Sequence, residues 1–334
     1  MVVLVTGGAG YIGSHTCLEL LEHGYDVLAV DNYSNSSPAV IDVVRGLGGG
    51  RIAAVDVDLR DRHRLDQVFD ENQVDTVIHF AAKKSVPESV RIPAEYFDNN
   101  VTGTINLLRS MIDHKVGRMV FSSSCSVYGD QYSEPISEGD PPAPANPYAR
   151  SKLIAEQILA DTCAAYDELS VLALRYFNPT GAHPSGMLGE DPVGVPGNLM
   201  PYLTGVAAGS LDRLTVYGAD YPTRDGSAVR DYVHVMDVAQ AHRIGLQHAS
   251  ERAGMRVLNL GTGRGVSVLE FVAAFEAACE VRIPFRIAGR RPGDVASLVA
   301  DPSLVDREWG WRATRDLQAM CRDAWRFQQR QHAS

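Results

Sequence analysis

Apolar strand-like runs recur in this chain at 2–5, 27–30, 52–57, 74–80, 118–123 and 171–175. The first, 2–5, is continuous, short and β-branched, as expected of a strand buried on both faces. Helix-period apolar residues separate the runs, as over 12–23. Strand and helix therefore alternate, which predicts an α/β fold: a doubly wound parallel sheet with helices on both faces. After residue 178 the texture changes. Residues 179–230 are rich in proline and glycine, with helical spacing only around 196–208. Elements then alternate through 257–260, 266–279 and 282–287, and a helix is expected over 314–329. This predicts a larger unit over 1–178, to which about 231–262 returns, and a smaller C-terminal lobe formed mainly by 179–334. The glycine-rich stretch 46–50 reads as a flexible loop.

The first strand runs into Gly7, Gly10 and Gly13, the helix over 12–23 follows, and the second strand ends on Asp31. This strand–turn–helix–strand order is that of a Rossmann-type dinucleotide-binding unit. The glycines let the backbone turn sharply and approach a pyrophosphate, and the helix N-terminus offers N–H donors and a positive dipole end. An acid at the end of the second strand accepts from both ribose hydroxyls and repels a 2′-phosphate, which favours NAD over NADP. Ligand chemistry in such sheets gathers at the carboxyl ends of the strands. Those positions here are 6–13, Asp31, Asp58, 80–84, 122–124 and 176–178. Asp58 fits either an N-cap of a helix over 61–69 or an acceptor for the adenine amino group. Ala81 and Ala82 fit either close cofactor approach or plain packing.

The net charge is −10, with no basic stretch to offset it, which excludes a general nucleic-acid-binding role. An anionic substrate would have to be held by a few local arginines. Five cysteines, an odd number with no CxxC pairing, fit a reduced cytosolic protein and give no support to a zinc or other metal site. No apolar run approaches bilayer length, and Met1 leads directly into the first strand. Neither a signal peptide nor a membrane span is expected, and a cytoplasmic location is.

The candidate chemistry lies at Tyr148-Ala149-Arg150-Ser151-Lys152, after a proline-rich loop and at the start of a helix expected to run to about Tyr166. Positions i and i+4 share a helix face, so the phenol and the ammonium point the same way. A phenol with a pKa near 10 is a poor base at neutral pH. A nearby lysine cation, together with the positive nicotinamide of NAD⁺, favours phenolate and brings it into working range. Ser124 ends the preceding strand and can relay a proton between a substrate hydroxyl and Tyr148.

Gly7-x-x-Gly10-x-x-Gly13, Ser124 and Tyr148-x-x-x-Lys152 together resemble the extended short-chain dehydrogenases/reductases. Further runs narrow the resemblance: DNYSNS (31–36), FAAKKSVPES (80–89), YFDNNVTGT (96–104), SSSCSVYGD (122–130), NPYARSK (146–152) and LRYFNPTGAHPSG (174–186). NLMPY (198–202), DYPTRDGSAVRDYVHVMD (220–237), NLGTG (259–263) and RRPGD (290–294) continue it. From end to end these runs resemble the family of UDP-glucose (UDP-galactose) 4-epimerases. That resemblance implies interconversion of UDP-galactose and UDP-glucose with NAD tightly bound and not consumed. Tyr148, assisted by Ser124, takes the proton of the sugar 4-hydroxyl as hydride passes from C4 to the nicotinamide. The 4-keto sugar swings about its diphosphate linkage, and hydride returns to its other face.

For the cofactor the resemblance implicates Tyr11, Ile12, Asp31, Asn32, Asn35, Ser36, Asp58, Leu59, Phe80, Ala81, Lys84, Asn99, Ser122, Tyr176 and Phe177, besides Tyr148, Lys152 and the glycine turn. Lys84 would meet the nicotinamide ribose, and N–H groups near Tyr11 and Ile12 the pyrophosphate. Asn99 also fits a helix-surface amide, and Asn35 a turn residue. For the substrate it implicates Ser124, Tyr148, Phe177, Asn178, Asn198, Leu199, Tyr217, Arg230, Arg291, Asp294 and Leu298. Arg230 and Arg291 would pair with the diphosphate, Asp294 would accept from the ribose, and Tyr217 would pack near uracil. Taken singly, such arginines also fit solvated surface charges, and Tyr217 a core position.

A nucleotide-sugar 4,6-dehydratase needs an acid pair straight after the Ser/Thr, where this chain has Cys125 and Ser126. A reductase would exchange its cofactor and produce net NADH. A non-catalytic NAD-binding regulator would lack one of Ser124, Tyr148 and Lys152, and all three are present. Leu298 aligns with a wall of the hexose pocket, where a smaller side chain than tyrosine leaves room for an N-acetyl group. Weak activity on UDP-N-acetylglucosamine and UDP-N-acetylgalactosamine would follow, unless Leu298 merely packs. A homodimer is expected from the resemblance, and from two helical segments, 94–113 and 148–165, with more apolar positions than one face requires.

Overall fold

The computed structural model describes residues 1–49, 51–129, 135–192, 194, 196–249, 253–291 and 294–333. Gly50, Asp130, Pro292 and Gly293, which belong to stretches singled out above, lie outside the described residues. Two compact units are present. The first comprises Met1–Val127, Pro142–Arg175 and Ala239–Leu258; the second comprises Tyr128–Pro141, Tyr176–Val238 and Asn259–Ser334. Tyr128–Pro141 and Tyr176–Asn178 thus group with the second unit rather than with the 1–178 span. The segment returning to the first unit is narrower than 231–262.

Six strands follow the apolar runs: β1 (Val2–Thr6), β2 (Asp26–Asp31), β3 (Ile52–Asp56), β4 (Thr76–His79), β5 (Arg118–Ser124) and β6 (Ser170–Tyr176). With the strand Gly254–Leu260 on the outer side of β6, they form one seven-stranded sheet whose order continues β6-β5-β4-β1-β2-β3. The β1–β2, β1–β4, β2–β3 and β4–β5 pairings are parallel. The strand order steps outward from β1 in both directions, which opens a crevice at the carboxyl ends of β1 and β4. Leu4, Val77, Leu107, Met111, Met119, Phe121 and Leu159 pack as a buried core between this sheet and its helices.

Helix α1 (Tyr11–Glu22) starts at the glycine turn. A β-carbon on Gly7, whose φ is +69°, would stand 2.8 Å from the Ala81 backbone nitrogen. The turn is therefore compressed against the loop after β4. Residues 46–48 do not form a loop: the helix Ala39–Gly48 continues through them, and only Gly49 turns left-handed, with φ +84°. Gly48 is retained in the helix because a β-carbon there would meet Leu21 at 2.7 Å. Asp58 is not an N-cap either. Asp61 caps Arg62–Glu71 by accepting from the Arg64 N–H. The segment expected over 94–113 is three successive pieces: Pro93–Phe97, a π turn at Asp98–Thr102, and Gly103–Asp113.

In the second unit, Val229–His234 pairs with Asn178–Thr180, Gly265–Ser267 and Ser297–Leu298, and Leu214–Tyr217 pairs with Phe285–Ala288. The helices Leu199–Ala207, Val268–Cys279 and Leu317–Ala333 close over a core that includes Leu203, Phe271, Phe275 and Met320. Ser267 and Glu270 form a capping box at the start of Val268–Cys279. Among the described residues, no helix is long and apolar enough to cross a membrane.

Candidate active site

Asn146 and Pro147 explain why the second chemistry-bearing helix starts where it does. The Asn146 side chain accepts from the Ala149 N–H at 2.9 Å, and Pro147 opens the first turn of Pro147–Ala165. Tyr148 and Lys152 follow one turn apart and face the end of β5. There, three consecutive serines each engage this helix. The Ser124 hydroxyl faces the Tyr148 phenol and lowers its pKa. The Ser122 carbonyl accepts from Lys152 Nζ at 2.8 Å. Ser123 donates to Glu156 Oε1. Behind them Arg175 holds Glu156 through both carboxylate oxygens, at 2.9 and 2.5 Å.

Burial pushes the Tyr148 phenol up to about 12, a rise that the Ser124 hydroxyl opposes. It pushes Lys152 down to about 8, a fall that Glu156 opposes. His79 is pushed down to about 3 by burial and by the Lys152 charge, so its ring is neutral between Thr6 Oγ1 and Thr104 Oγ1, at 2.7 and 2.9 Å. Ser124 also accepts from the Ser126 N–H and hydroxyl.

The remaining predicted cofactor positions of the first unit line the carboxyl ends of β1 to β4. Asp31 is buried; its Oδ2 accepts from the Ala9 N–H, and its Oδ1 from the Tyr33 N–H and the Ser36 hydroxyl. Asn32 donates to Asp58 at 2.9 Å, and Arg60 clamps the same carboxylate, holding it well below the usual carboxylate range. Asn35 is exposed, and Leu59 is buried against Gly103. Phe80 stacks at 4.5 Å on His242, and the Ala81 N–H donates to Thr6 Oγ1. Lys84 Nζ lies 5.8 Å from the Tyr11 ring centre. Ile12 is half-buried in the first turn of α1. Asn99 is half-buried and donates to Asn100.

Two residues not singled out from the sequence tie this region together. Buried Asn100 binds both backbone groups of Lys83 and the Ser151 hydroxyl, which fastens the π turn to the loop after β4. Glu156 is the other. Its spacing of four from Lys152 was a visible signal; its partner Arg175 lies on a strand and was not.

α1 has no side-chain cap at Gly10 and no acid in its first turn. Asp31 meets only the Ala9 N–H before the cap, so the first turn itself offers the positive end of the dipole to a pyrophosphate. These residues fit a dinucleotide.

The second unit gathers its own set. Arg230 pairs in register with Leu298, and its Nη1 donates to the Val229 carbonyl at 2.7 Å. Arg291 and Asp294 are bonded to each other at 3.0 and 3.1 Å, so the ribose acceptor and the diphosphate donor of the sequence reading are each other's partners here. Arg291 also lies 5.5 Å over the Tyr217 ring, which is 43% exposed and therefore not a core residue. Tyr232 is pushed up to about 12 by burial, with Arg230 and Asp294 acting on it in opposite senses. The buried Asn178 Oδ1 makes no hydrogen bond among the described residues. Asn198 is exposed and donates to Glu190 at 2.7 Å, and Leu199 opens the helix that follows. Tyr176 and Phe177 are buried, and the Phe177 N–H donates to the Leu260 carbonyl.

Residues 3–261 match the model of the NAD dependent epimerase/dehydratase family. The chain belongs to that family. The UDP-glucose 4-epimerase of Bacillus subtilis (strain 168) is 52% identical over 328 residues, covering 98% of this chain and 97% of that protein. A crystal structure of the UDP-glucose 4-epimerase from Stenotrophomonas maltophila, with bound NAD and formylated UDP-arabinopyranose, superposes with a TM-score of 0.97. It is 50% identical and covers 100% of this chain and 99% of that one. The enzyme from Bifidobacterium longum, in complex with NAD⁺ and UDP, gives a TM-score of 0.96 at 48% identity, over 99% and 98% of the two chains. Membership agrees with the strand order, the glycine turn and the serine–tyrosine–lysine row.

Proposed function

We propose that this chain interconverts UDP-galactose and UDP-glucose by inverting C4, with NAD held throughout the cycle. The observation that carries this reading is the register of Ser124 with Tyr148 and of Ser122 with Lys152, set beside an α1 whose first turn carries no acid. NAD, when bound, supplies the acceptor and later the donor of hydride. Gly7, Gly10, Gly13, Tyr11 and Ile12 would hold its pyrophosphate, and Asp31, Asn32, Asn35, Ser36, Asp58 and Leu59 its adenosine side. Phe80, Ala81, Lys84, Asn99, Ser122, Tyr176 and Phe177 would hold its nicotinamide side.

Tyr148 takes the 4-hydroxyl proton and returns it once the keto sugar has turned. Ser124 bridges the two oxygens, and the Lys152 cation favours the phenolate. In the second unit Arg230 and Arg291 serve the diphosphate, Asp294, Asn178, Asn198 and Leu199 the nucleotide, Tyr217 the uracil, and Leu298 the hexose wall. An isomerase of this kind needs a firm hold on the nucleotide and a loose hold on the sugar. Leu298 leaves room for a weak secondary activity on N-acetylated hexoses. Cytoplasmic residence fits the free cysteines. A homodimer is supported by half-buried Ile105, Ile112, Leu153 and Ile154 on the helices Gly103–Asp113 and Pro147–Ala165.

The test is incubation of the pure protein with UDP-galactose and no added NAD, followed by separation of products. UDP-glucose is expected, and acid-denatured protein is expected to release NAD(H). Tyr148→Phe should retain NAD and lose about 10²–10⁴-fold in turnover, the usual range for a lost general acid/base. Near-normal turnover in that variant would remove Tyr148 from the chemistry.

A further inference from the structure

β5 meets the helix Pro147–Ala165 through three successive residues, and only two of the three contacts reach the proposed machinery. Ser124 goes to Tyr148 and Ser122 to Lys152. Between them Ser123, 1% exposed, goes to Glu156, which is 4% exposed and held by Arg175, itself 5% exposed. A carboxylate and a guanidinium taken this far from water are costly to keep, and a well-packed apolar pair would serve stability as well. Their place suggests why they are there: Glu156 stands one helical turn beyond Lys152, on the same face.

We propose that Glu156, clamped by Arg175, is a positioning residue that acts through Lys152. Its charge holds the ammonium in its protonated form, and its bond to Ser123 keeps Ser122 and Ser124 in register with Lys152 and Tyr148. This rests on the assignment of Tyr148 and Lys152 made above.

Other charged and titratable groups around Lys152 are few. Tyr148 shares its helix, His79 faces it from β4 and is neutral, and Cys125 follows β5. On the helical pieces packed against Pro147–Ala165, Glu88 is bonded to the Tyr96 hydroxyl, Glu95 to Lys83 and Asp98 to Arg60, and Arg91 is exposed. Glu156 is the acid that opposes the effect of burial on Lys152. Removing it lets the lysine lose its proton at lower pH, and the unpaired Arg175 cation acts in the same sense.

The experiment is Glu156→Gln, read in two ways: the pH at which kcat falls on the alkaline side, and the titration midpoint of Lys152 Nζ. The latter is followed by NMR on lysine-labelled holoenzyme and assigned with Lys152→Met. Both are expected to move down by about one pH unit, while KM for UDP-galactose stays within about twofold, as for a charge acting on the lysine rather than the nucleotide. Glu156→Asp, which keeps the charge, should return both toward wild type. If Glu156→Gln does not fold, the double variant Glu156→Gln/Arg175→Met removes both charges and carries the test. It should move both midpoints the same way by less, because the nearer charge of the pair has been lost. Unmoved midpoints in whichever variant folds would overturn the proposal. Tyr148→Phe separates the two ideas. Normal turnover there defeats the catalytic assignment, whereas an inactive Tyr148→Phe beside unmoved midpoints defeats the role of Glu156 alone.

Discussion

Gly13 lies so close to Gly7 that a β-carbon at position 13 would stand 2.1 Å from the Gly7 carbonyl oxygen. That distance is far inside van der Waals contact, and the opposing atom is backbone. The first turn of α1 can therefore sit against the turn after β1 only while position 13 has no side chain.

Gly13→Ala is accordingly expected to push α1 off the turn at a cost of about 1–3 kcal/mol. The damage falls where the pyrophosphate would bind, so NAD retention should suffer more than folding. NAD released by acid from the purified variant should fall to about a tenth of the wild-type content or less. A variant with full NAD content would show that the glycine turn is not what grips the cofactor.

Lys152 should leave a signature in the pH dependence of stability. Its folded pKa is lowered from 10.5 to about 8, so between these values the unfolded chain holds a proton that the folded chain has lost. Stability then rises with pH through this window, and the contribution is lost as pH falls through about 8. The shift corresponds to about 3 kcal/mol. Urea unfolding of wild type and Lys152→Met, compared at about pH 7 and about pH 10, should show the gain in wild type only. Parallel curves would mean that Lys152 is not held in this way.

Leu298 sits 8% exposed in a two-residue strand paired with Arg230, so its backbone is fixed and a larger side chain cannot retreat by moving the strand. Leu298→Tyr is expected to reduce kcat/KM for UDP-N-acetylglucosamine by about tenfold or more, while UDP-galactose turnover changes little; an added ring in a close-packed pocket costs about 1–3 kcal/mol. Absence of N-acetyl activity in wild type, or its full survival in the variant, would show that Leu298 is not the gate.

The parts of this molecule legible in the sequence are those set by local rules. Strands announce themselves as short, mainly apolar runs, and β1 to β6 lie where those runs lie. Asn146-Pro147 marks the start of its helix because cap and first turn are chemistry between neighbours. What stayed hidden depends on partners distant in sequence. The π turn at Asp98–Thr102 coincides with Asn100 reaching Lys83 and Ser151. Gly48 continues a helix, against its propensity, because Leu21 needs the space. Arg291 and Asp294 were read as two separate ligand contacts, yet three residues' spacing lets them bond each other. Glu156 is fixed by Arg175 and Ser123, which lie on strands and not beside it in the sequence.

The last strand of the main sheet, Gly254–Leu260, has a consequence for how the chain is made. It covers the outer side of β6, yet it is synthesised only after about half of the second unit. A nascent chain that has reached Tyr176 already carries six of the seven strands, but the outer edge of β6 then stands open with unpaired N–H and C=O groups. That edge must wait, exposed to other chains or shielded by a chaperone, while the ribosome delivers the residues from Phe177 to Ala253. Completion of the nucleotide-binding half therefore comes long after its glycine fingerprint has been translated.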